Sequence, residues 1–279
     1  MPKTLADKTT LKGRGLSRWI GLAFVLSRDA VARRLLAGGM GPTALTILGL
    51  LFTVVAAIFL ALGAGAEPRI LSWQGPTCWR LWAGLALLGC GAADMLDGAM
   101  ARLGRKATRF GAFLDSTLDR YCDILLFLGI GIYYARHGNL TYQLLATVAM
   151  ANALLISYTK ARAEDFIPSC RVGYWERGER FAALLIATFF GGIPAVLWEL
   201  AIFPFFTALR RIQFTHRAIR TIAQGAELAR TPAGKPTDGS LFDRCRRGSL
   251  IYDLVTGAYI AFIIFAPIDN TDLLSRWFG

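Results

Sequence analysis

The sequence predicts an all-α integral membrane protein. It reads as a six-helix transmembrane bundle, with an N-terminal amphipathic juxtamembrane helix and a candidate seventh span at the C-terminus. Three observations predict this. The 279-residue chain is 54% hydrophobic with a mean hydropathy of +0.45, more apolar than a soluble domain of this size needs to bury a core. Its apolar residues are continuous rather than periodic, in runs long enough to cross a bilayer. Its net charge of +12 falls in blocks between alternate runs.

The elements follow in order. Residues 1–40 read as a cytoplasmic N-terminus. Within it, Trp19 to Leu36 interleaves apolar residues with Arg28, Arg33 and Arg34, which suits a helix lying on the inner leaflet. No clean apolar core with a small-residue cleavage site is present, so this is no signal peptide. Residues 41–224 form the membrane domain. Thr43–Gly63 carries no charge and is the clearest span. Leu81–Met100 begins cleanly and ends in an acidic stretch, and Phe110–Ala135 begins in that stretch and ends cleanly. Leu140–Tyr158 is the fourth span. Phe181–Ile193 is short, and Gly191, Gly192 and Pro194 mark its end. Ala195–Leu209 is the sixth and holds Glu199 and Pro204. Residues 225–248 are a polar linker. Residues 249–279 are a C-terminal hydrophobic segment, in which Leu250–Pro267 is long enough to span but contains Asp253.

The cations give the topology. Lys3, Lys8, Lys12, Arg14, Arg18, Arg28, Arg33 and Arg34 precede the first span. Arg102, Arg105, Lys106 and Arg109 separate the second from the third, and Lys160, Arg162, Arg171, Arg177 and Arg180 the fourth from the fifth. A further block from Arg210 to Arg247 follows the sixth. The opposite loops hold only Arg69, Arg80 and Arg136. Positive-inside bias then places the N-terminus in the cytoplasm. Topology and attraction to anionic lipid explain the basic balance, and no nucleic-acid-binding motif is visible. The five cysteines, Cys78, Cys90, Cys122, Cys170 and Cys245, form no CxxC pair, which argues against a zinc site or a disulfide framework.

The stretch DMLDGAMARLGRKATRFGAFLDSTLD, Asp94 to Asp119, carries four carboxylates inside an apolar region. Asp94 and Asp97 are three apart, and Asp115 and Asp119 four apart, so each pair shares a helix face. The first pair ends one helix, the second opens the next, and a short basic turn joins them. The four can therefore converge near the cytoplasmic surface. A carboxylate at such depth costs about 2.5–3.5 kcal/mol even on the lenient insertion scale, and four of like sign repel one another. A divalent cation is the simplest remedy, and all-oxygen ligation suits Mg²⁺ or Mn²⁺. The only histidines, His137 and His216, lie far off in sequence. Gly98 and Gly111 lack side chains where helices and a ligand would crowd. Arg102, Arg105, Lys106 and Arg109 supply phosphate-pairing charge. Salt bridges to the basic turn alone would be the plainer account, but an intramembrane charge cluster is functional by default. Acidic cluster, metal and basic rim together suggest a diphosphate substrate.

Asp94-x₂-Asp97-Gly98-x₂-Ala101-Arg102-x₈-Gly111-x₃-Asp115-x₃-Asp119 resembles the signature of the CDP-alcohol phosphotransferase family at every position. The resemblance runs from roughly Trp19 to Gln224. It implies a six-helix membrane enzyme, usually a homodimer, that moves a substituted phosphate from a CDP-linked donor to an alcohol and releases CMP. It implies that Asp94, Asp97 and Asp115 bind metal, and that Asp119 is the general base and also touches metal. It places Gly98, Arg102, Thr108 and Gly111 at the nucleotide. The segment Thr43, Ala44, Leu45 and Thr46 resembles the family's nucleotide-contacting start of the first span, although many relatives have Asn or Asp where Thr43 stands.

A second polar set, SYTKARAE at Ser157–Glu164 and GYWERGER at Gly173–Arg180, bears on the acceptor. Lys160, Arg162, Arg177 and Arg180 could form an anion site, which a phosphorylated alcohol needs and an uncharged one does not. Ordinary positive-inside charge is the competing explanation for each residue alone. The two elements are similar to those of bacterial phosphatidylinositol phosphate synthases and their archaeal inositol counterparts. That likeness implies a CDP-diacylglycerol-like donor and inositol 1-phosphate as acceptor, with glycerol 3-phosphate, as in phosphatidylglycerophosphate synthases, as the alternative. Among other classes, an intramembrane prenyltransferase would be expected to carry two Asp-rich motifs on separate helix pairs. A transporter or scaffold would not need the Gly/Arg spacing.

Overall fold

The structure, a computed structural model, describes residues 16–66, 78–104, 108–170, 172–224, 249–268 and 270–274. Arg69, Arg105, Lys106, Arg171 and the 225–248 linker lie outside them. The described residues form eight helices and no strand: α1 (Leu16–Ala37), α2 (Pro42–Gly63), α3 (Cys78–Leu103), α4 (Arg109–Arg136), α5 (Leu140–Ala163), α6 (Arg177–Phe190), α7 (Ile193–Ala223) and α8 (Leu250–Phe265). Each expected apolar run falls on one of α2 to α8, and the 19–36 stretch lies within α1. By length and apolarity, α2, α3, α5 and α7 are able to cross a membrane. Their outward faces stay apolar. Leu51 and Ile58 of α2 are more than half exposed, as are Phe205 and Phe206 of α7. In water such faces would be unstable, so the surrounding medium is lipid.

The chain divides into two compact units, Met1–Leu51 with Gly89–Leu118, and Phe52–Leu88 with Asp119–Gly279. In the first unit, Ala32, Leu45, Ala93, Ala99 and Met100 form a small core, against which Leu35, Leu36 and Leu96 pack. The same unit takes in the end of α3 and the start of α4.

The second unit has a larger core, in which Leu60, Leu87, Phe127, Ile130, Ile156, Leu184, Val196 and Leu200 take part. Helix α4 crosses α2 closely here: a Cβ on Gly129 would come 2.4 Å from the Ala57 carbonyl oxygen. Pro204 sits inside α7 without ending it. Proline lacks an N–H, so the carbonyl four residues back, that of Leu200, loses its helical partner. The Asn152 side chain on α5 supplies a replacement, donating to Leu200 O at 3.3 Å and Ala201 O at 2.7 Å. Helix α7 also runs past Leu209 to Ala223. Arg211 stays in the helix because its buried guanidinium finds carbonyls: Nε donates to Val172 O at 3.1 Å and Nη1 to Ile156 O.

Helix α8 docks alongside α6. Ser249 caps its start, accepting from Tyr252 N at 3.1 Å. Near its end Ile263 seats against Gly192, where a Cβ would lie 2.3 Å from the Ile263 carbonyl oxygen. Beyond α8, Asn270 and Asp272 form a polar clasp. Asn270 accepts from Tyr134 OH at 2.9 Å, donates to Gly65 O at 2.8 Å, and accepts at its backbone from Asn139 Nδ2 at 2.6 Å. Asp272 accepts from the backbone N–H of Leu140 at 3.0 Å and of Thr141 at 3.2 Å. These are orphan donors of the first turn of α5, where a carboxylate also complements the helix dipole.

Candidate functional site

Asp94 and Asp97 lie one turn apart near the C-terminal end of α3, and Asp115 lies in the second turn of α4. One carboxylate oxygen from each falls within 4.8 Å of the others. Asp97 is buried and Asp94 exposed, so the group opens to one side. The Thr46 hydroxyl, in the first turns of α2, lies 2.9 Å from Asp97 Oδ2 and 3.2 Å from Pro42 O. It thereby ties the α2 start to the carboxylates. Leu45 points the other way, into the small core. An all-oxygen group at this spacing fits a hard divalent ion, whose ligand bonds are about 2.0–2.6 Å long. No histidine or cysteine joins it among the described residues. His137 instead sits 2.7 Å from Tyr133 O.

The neighbouring residues leave room for a ligand. A Cβ on Gly98 would meet nothing closer than Arg102 Nη1 at 3.5 Å, so packing alone does not demand glycine there. Its absence exposes backbone beside an arginine. Thr108 caps α4: its Oγ1 accepts from the Gly111 N–H at 2.9 Å. A Cβ on Gly111 would press on that hydroxyl at 2.9 Å. Thr43 and Ala44 occupy the first turn of α2.

Asp119 belongs to the second unit, one turn beyond Asp115 along α4, and its Oδ1 pairs with Arg177 Nη2 at 2.9 Å. One turn further, Asp123 pairs with Arg180 Nη2 at 2.6 Å, with side-chain exposures of only 10% and 2%. Arg180 Nη1 also donates to Trp175 O at 3.2 Å. Two rungs thus join α4 to α6: an outer, partly exposed Asp119–Arg177 and an inner, buried Asp123–Arg180. Lys160 and Arg162 stand in the last turn of α5, where cations complement the dipole. Arg162 is exposed and pairs with Asp165 at 2.9 Å.

Sequence reasoning did not single out Asp123. Its signal was present, since it continues the four-residue spacing of Asp115 and Asp119. Behind the rungs, Ile167, Cys170, Val172 and Phe214 form a small separate core under the α5–α6 connection. Burial pushes the Cys170 thiol above its usual range, and Arg211 only partly offsets this. Cys170 is therefore an unreactive packing residue.

A carboxylate group that fits a divalent cation, an adjacent arginine and open backbone is equipped to hold a diphosphate. A further carboxylate one turn on can accept a proton. Comparison with known proteins gives the family. The sequence matches the CDP-alcohol phosphatidyltransferase family over residues 40–224. It is 35% identical to the phosphatidylinositol phosphate synthase of Mycobacteroides abscessus over 213 residues, 76% of this chain and 87% of that protein. The crystal structure of the Mycobacterium tuberculosis phosphatidylinositol phosphate synthase with CDP-DAG bound superposes with a TM-score of 0.57 at 29% identity, covering 67% of this chain and 92% of that one. The same enzyme in complex with manganese and citrate superposes with a TM-score of 0.58 at 29% identity, covering 68% and 88%. The chain thus belongs to the CDP-alcohol phosphatidyltransferase family and is an integral membrane transferase of phospholipid synthesis.

Proposed function

We propose that this enzyme transfers a phosphatidyl-type group from a CDP-diacylglycerol-like lipid to a phosphorylated polyol, inositol 1-phosphate, giving phosphatidylinositol phosphate and CMP. The observation that carries the reading is the convergence of Asp94, Asp97 and Asp115 beside Thr46 and the open backbone at Gly98. The names of the relatives support the choice of acceptor.

Asp94, Asp97 and Asp115 hold the cation, with Asp119 following on the same face of α4. Magnesium or manganese, when bound, neutralises the donor diphosphate and makes CMP a better leaving group. Thr43, Ala44, Leu45 and Thr46, with Gly98, Arg102, Thr108 and Gly111, position the cytidine diphosphate. Lys160, Arg162, Arg177 and Arg180 supply the positive field for the acceptor phosphate. Of these, Arg177 is the cation that touches the proposed base. An arriving phosphate competes for its guanidinium and frees Asp119 to take the acceptor's hydroxyl proton. That oxygen then attacks the phosphorus bearing the lipid alcohol, and the bond from this phosphorus to CMP breaks. Positioning and charge stabilisation carry most of the rate. Buried Arg180 holds Asp123 and the Trp175 carbonyl, and so fixes the start of α6 from which Arg177 projects.

The wider arrangement is also part of the proposal: six spans with α1 on the inner leaflet, the site on the cytoplasmic side and a homodimeric assembly. The positive-inside distribution supports the sidedness, and the family supports the rest. The test is to incubate purified full-length protein with CDP-diacylglycerol, Mg²⁺ and a panel of acceptors, and to measure CMP. Release with inositol 1-phosphate above all others is expected. Faster release with glycerol 3-phosphate would move the acceptor to that alternative. No release with any phosphorylated polyol would overturn the reading.

A further inference from the structure

Helix α8 lies outside the family match, which ends at residue 224. Three of its side chains fall on one short stretch, Tyr174 to Arg180, which closes the irregular lead-in to α6 and forms that helix's first turn. Tyr252 OH donates to Glu179 Oε1 at 2.8 Å. Thr256 Oγ1 spends its proton on Tyr252 O at 2.7 Å, so it accepts from Tyr174 OH at 2.8 Å. The Tyr259 ring meets Trp175 in a T-shaped contact, with centroids 4.9 Å apart. Residues 252, 256 and 259 are spaced by four and three, so they share one face of α8.

The other side of the same stretch looks to α4. Arg177 pairs with Asp119 at 2.9 Å and Arg180 with Asp123 at 2.6 Å. At about 3.6 residues per turn, Glu179 stands nearly opposite Arg177 on α6. Trp175 joins the two sides: its ring meets α8, while its carbonyl accepts from Arg180 Nη1 at 3.2 Å. Helix α7 secures the stretch from upstream, where Arg211 Nε donates to Val172 O at 3.1 Å and Nη2 lies 3.9 Å from Glu176 Oε1. The far end of α8 is anchored separately, by Ile263 against Gly192 and by the Asn270–Asp272 clasp beyond the helix. A guanidinium that passes from a carboxylate to an arriving phosphate must be held accurately, since a misplacement of about 1 Å can cost about 10²-fold in rate. An irregular lead-in does not give that accuracy unless neighbouring elements fix it.

We propose that α8 is a positioning brace for the acceptor site: Tyr252, Thr256 and Tyr259 fix the Tyr174–Arg180 stretch so that Arg177 meets the acceptor phosphate. The inference rests on the acceptor reading above and extends it to residues beyond the matched family region.

The test is steady-state CMP release by the purified full-length enzyme with CDP-diacylglycerol, Mg²⁺ and the phosphorylated polyol that the wild-type enzyme uses fastest. Tyr252→Phe and Thr256→Val each delete one hydroxyl and should each raise the acceptor KM about three- to tenfold, the scale of one hydrogen bond. The donor KM should not move. Thr256→Ser keeps the hydroxyl and should keep the wild-type acceptor KM. Partial unfolding would instead lower the active fraction and so kcat, leaving both KM values alone. Acceptor KM unmoved in both single variants, or rising in step with the donor KM, would overturn the brace while the wild-type turnover left the acceptor reading standing. No CMP release from the wild-type enzyme with any phosphorylated polyol would sink both.

Discussion

The inner rung offers the sharpest test of how α6 is held against α4. Asp123→Leu would remove the carboxylate and leave the Arg180 guanidinium, 1% exposed, with the Trp175 carbonyl as its one remaining partner among the described residues. Desolvation of an uncompensated buried charge sets the magnitude, and breaking such a pair costs about 3–5 kcal/mol. For a protein of this size each kcal/mol moves the midpoint by roughly 2–4 °C, so a fall of about 6–20 °C is expected. Removing both charges by Asp123→Leu with Arg180→Met restores an apolar contact and should recover most of that loss. The assay is thermal unfolding in one fixed detergent, followed by tryptophan fluorescence, across the complete double-mutant cycle. If Asp123→Leu shifted the midpoint by less than about 2 °C, or if the two single losses simply added, the rung would not be a coupled buried pair and the argument would fail.

Other outcomes follow from the same geometry. Asp119→Asn should keep binding of the CDP-linked donor and lose turnover by at least about 10²-fold, the scale of a general base; near-normal turnover with intact donor binding rejects the base. Lys160→Ala should raise the acceptor KM more than the donor KM, and equal effects on both would remove it from the acceptor site. Gly192→Ala forces a methyl group against the Ile263 carbonyl and should cost about 1–3 kcal/mol by overpacking, read as earlier proteolysis of the α8 segment. Cys170, buried with a raised thiol pKa, should resist maleimide at neutral pH in the folded protein and react on unfolding.

Much of this arrangement could be read from the chain alone, for physical reasons specific to each part. The run Thr43–Gly63 lies within α2 because uninterrupted apolarity leaves few other options. Of the four carboxylates expected to converge, Asp94, Asp97 and Asp115 form the group, because helical spacing fixes a face and a short turn fixes a neighbour, while Asp119 pairs with Arg177. The length of α7 was not legible. Arg210 and Arg211 look like the end of a span, and only the carbonyls of Val172 and Ile156, contributed from elsewhere, allow Arg211 to continue the helix inside the protein. The pairing of Asp123 with Arg180 was hidden for the same reason. Spacing shows that two charges share a helix face, but not which partner the opposite helix presents.

The clasp formed by Asn270 and Asp272 has a consequence for biogenesis. Gly65, Tyr134, Asn139, Leu140 and Thr141 all leave the ribosome well before the residues that complete their hydrogen bonds. Until then, that end of the nascent bundle must borrow water or chaperone contacts. Its last maturation step waits for the residues after α8 to reach these loops, so translation that stalls within α8 would leave a protein with the carboxylate signature complete and this clasp unmade.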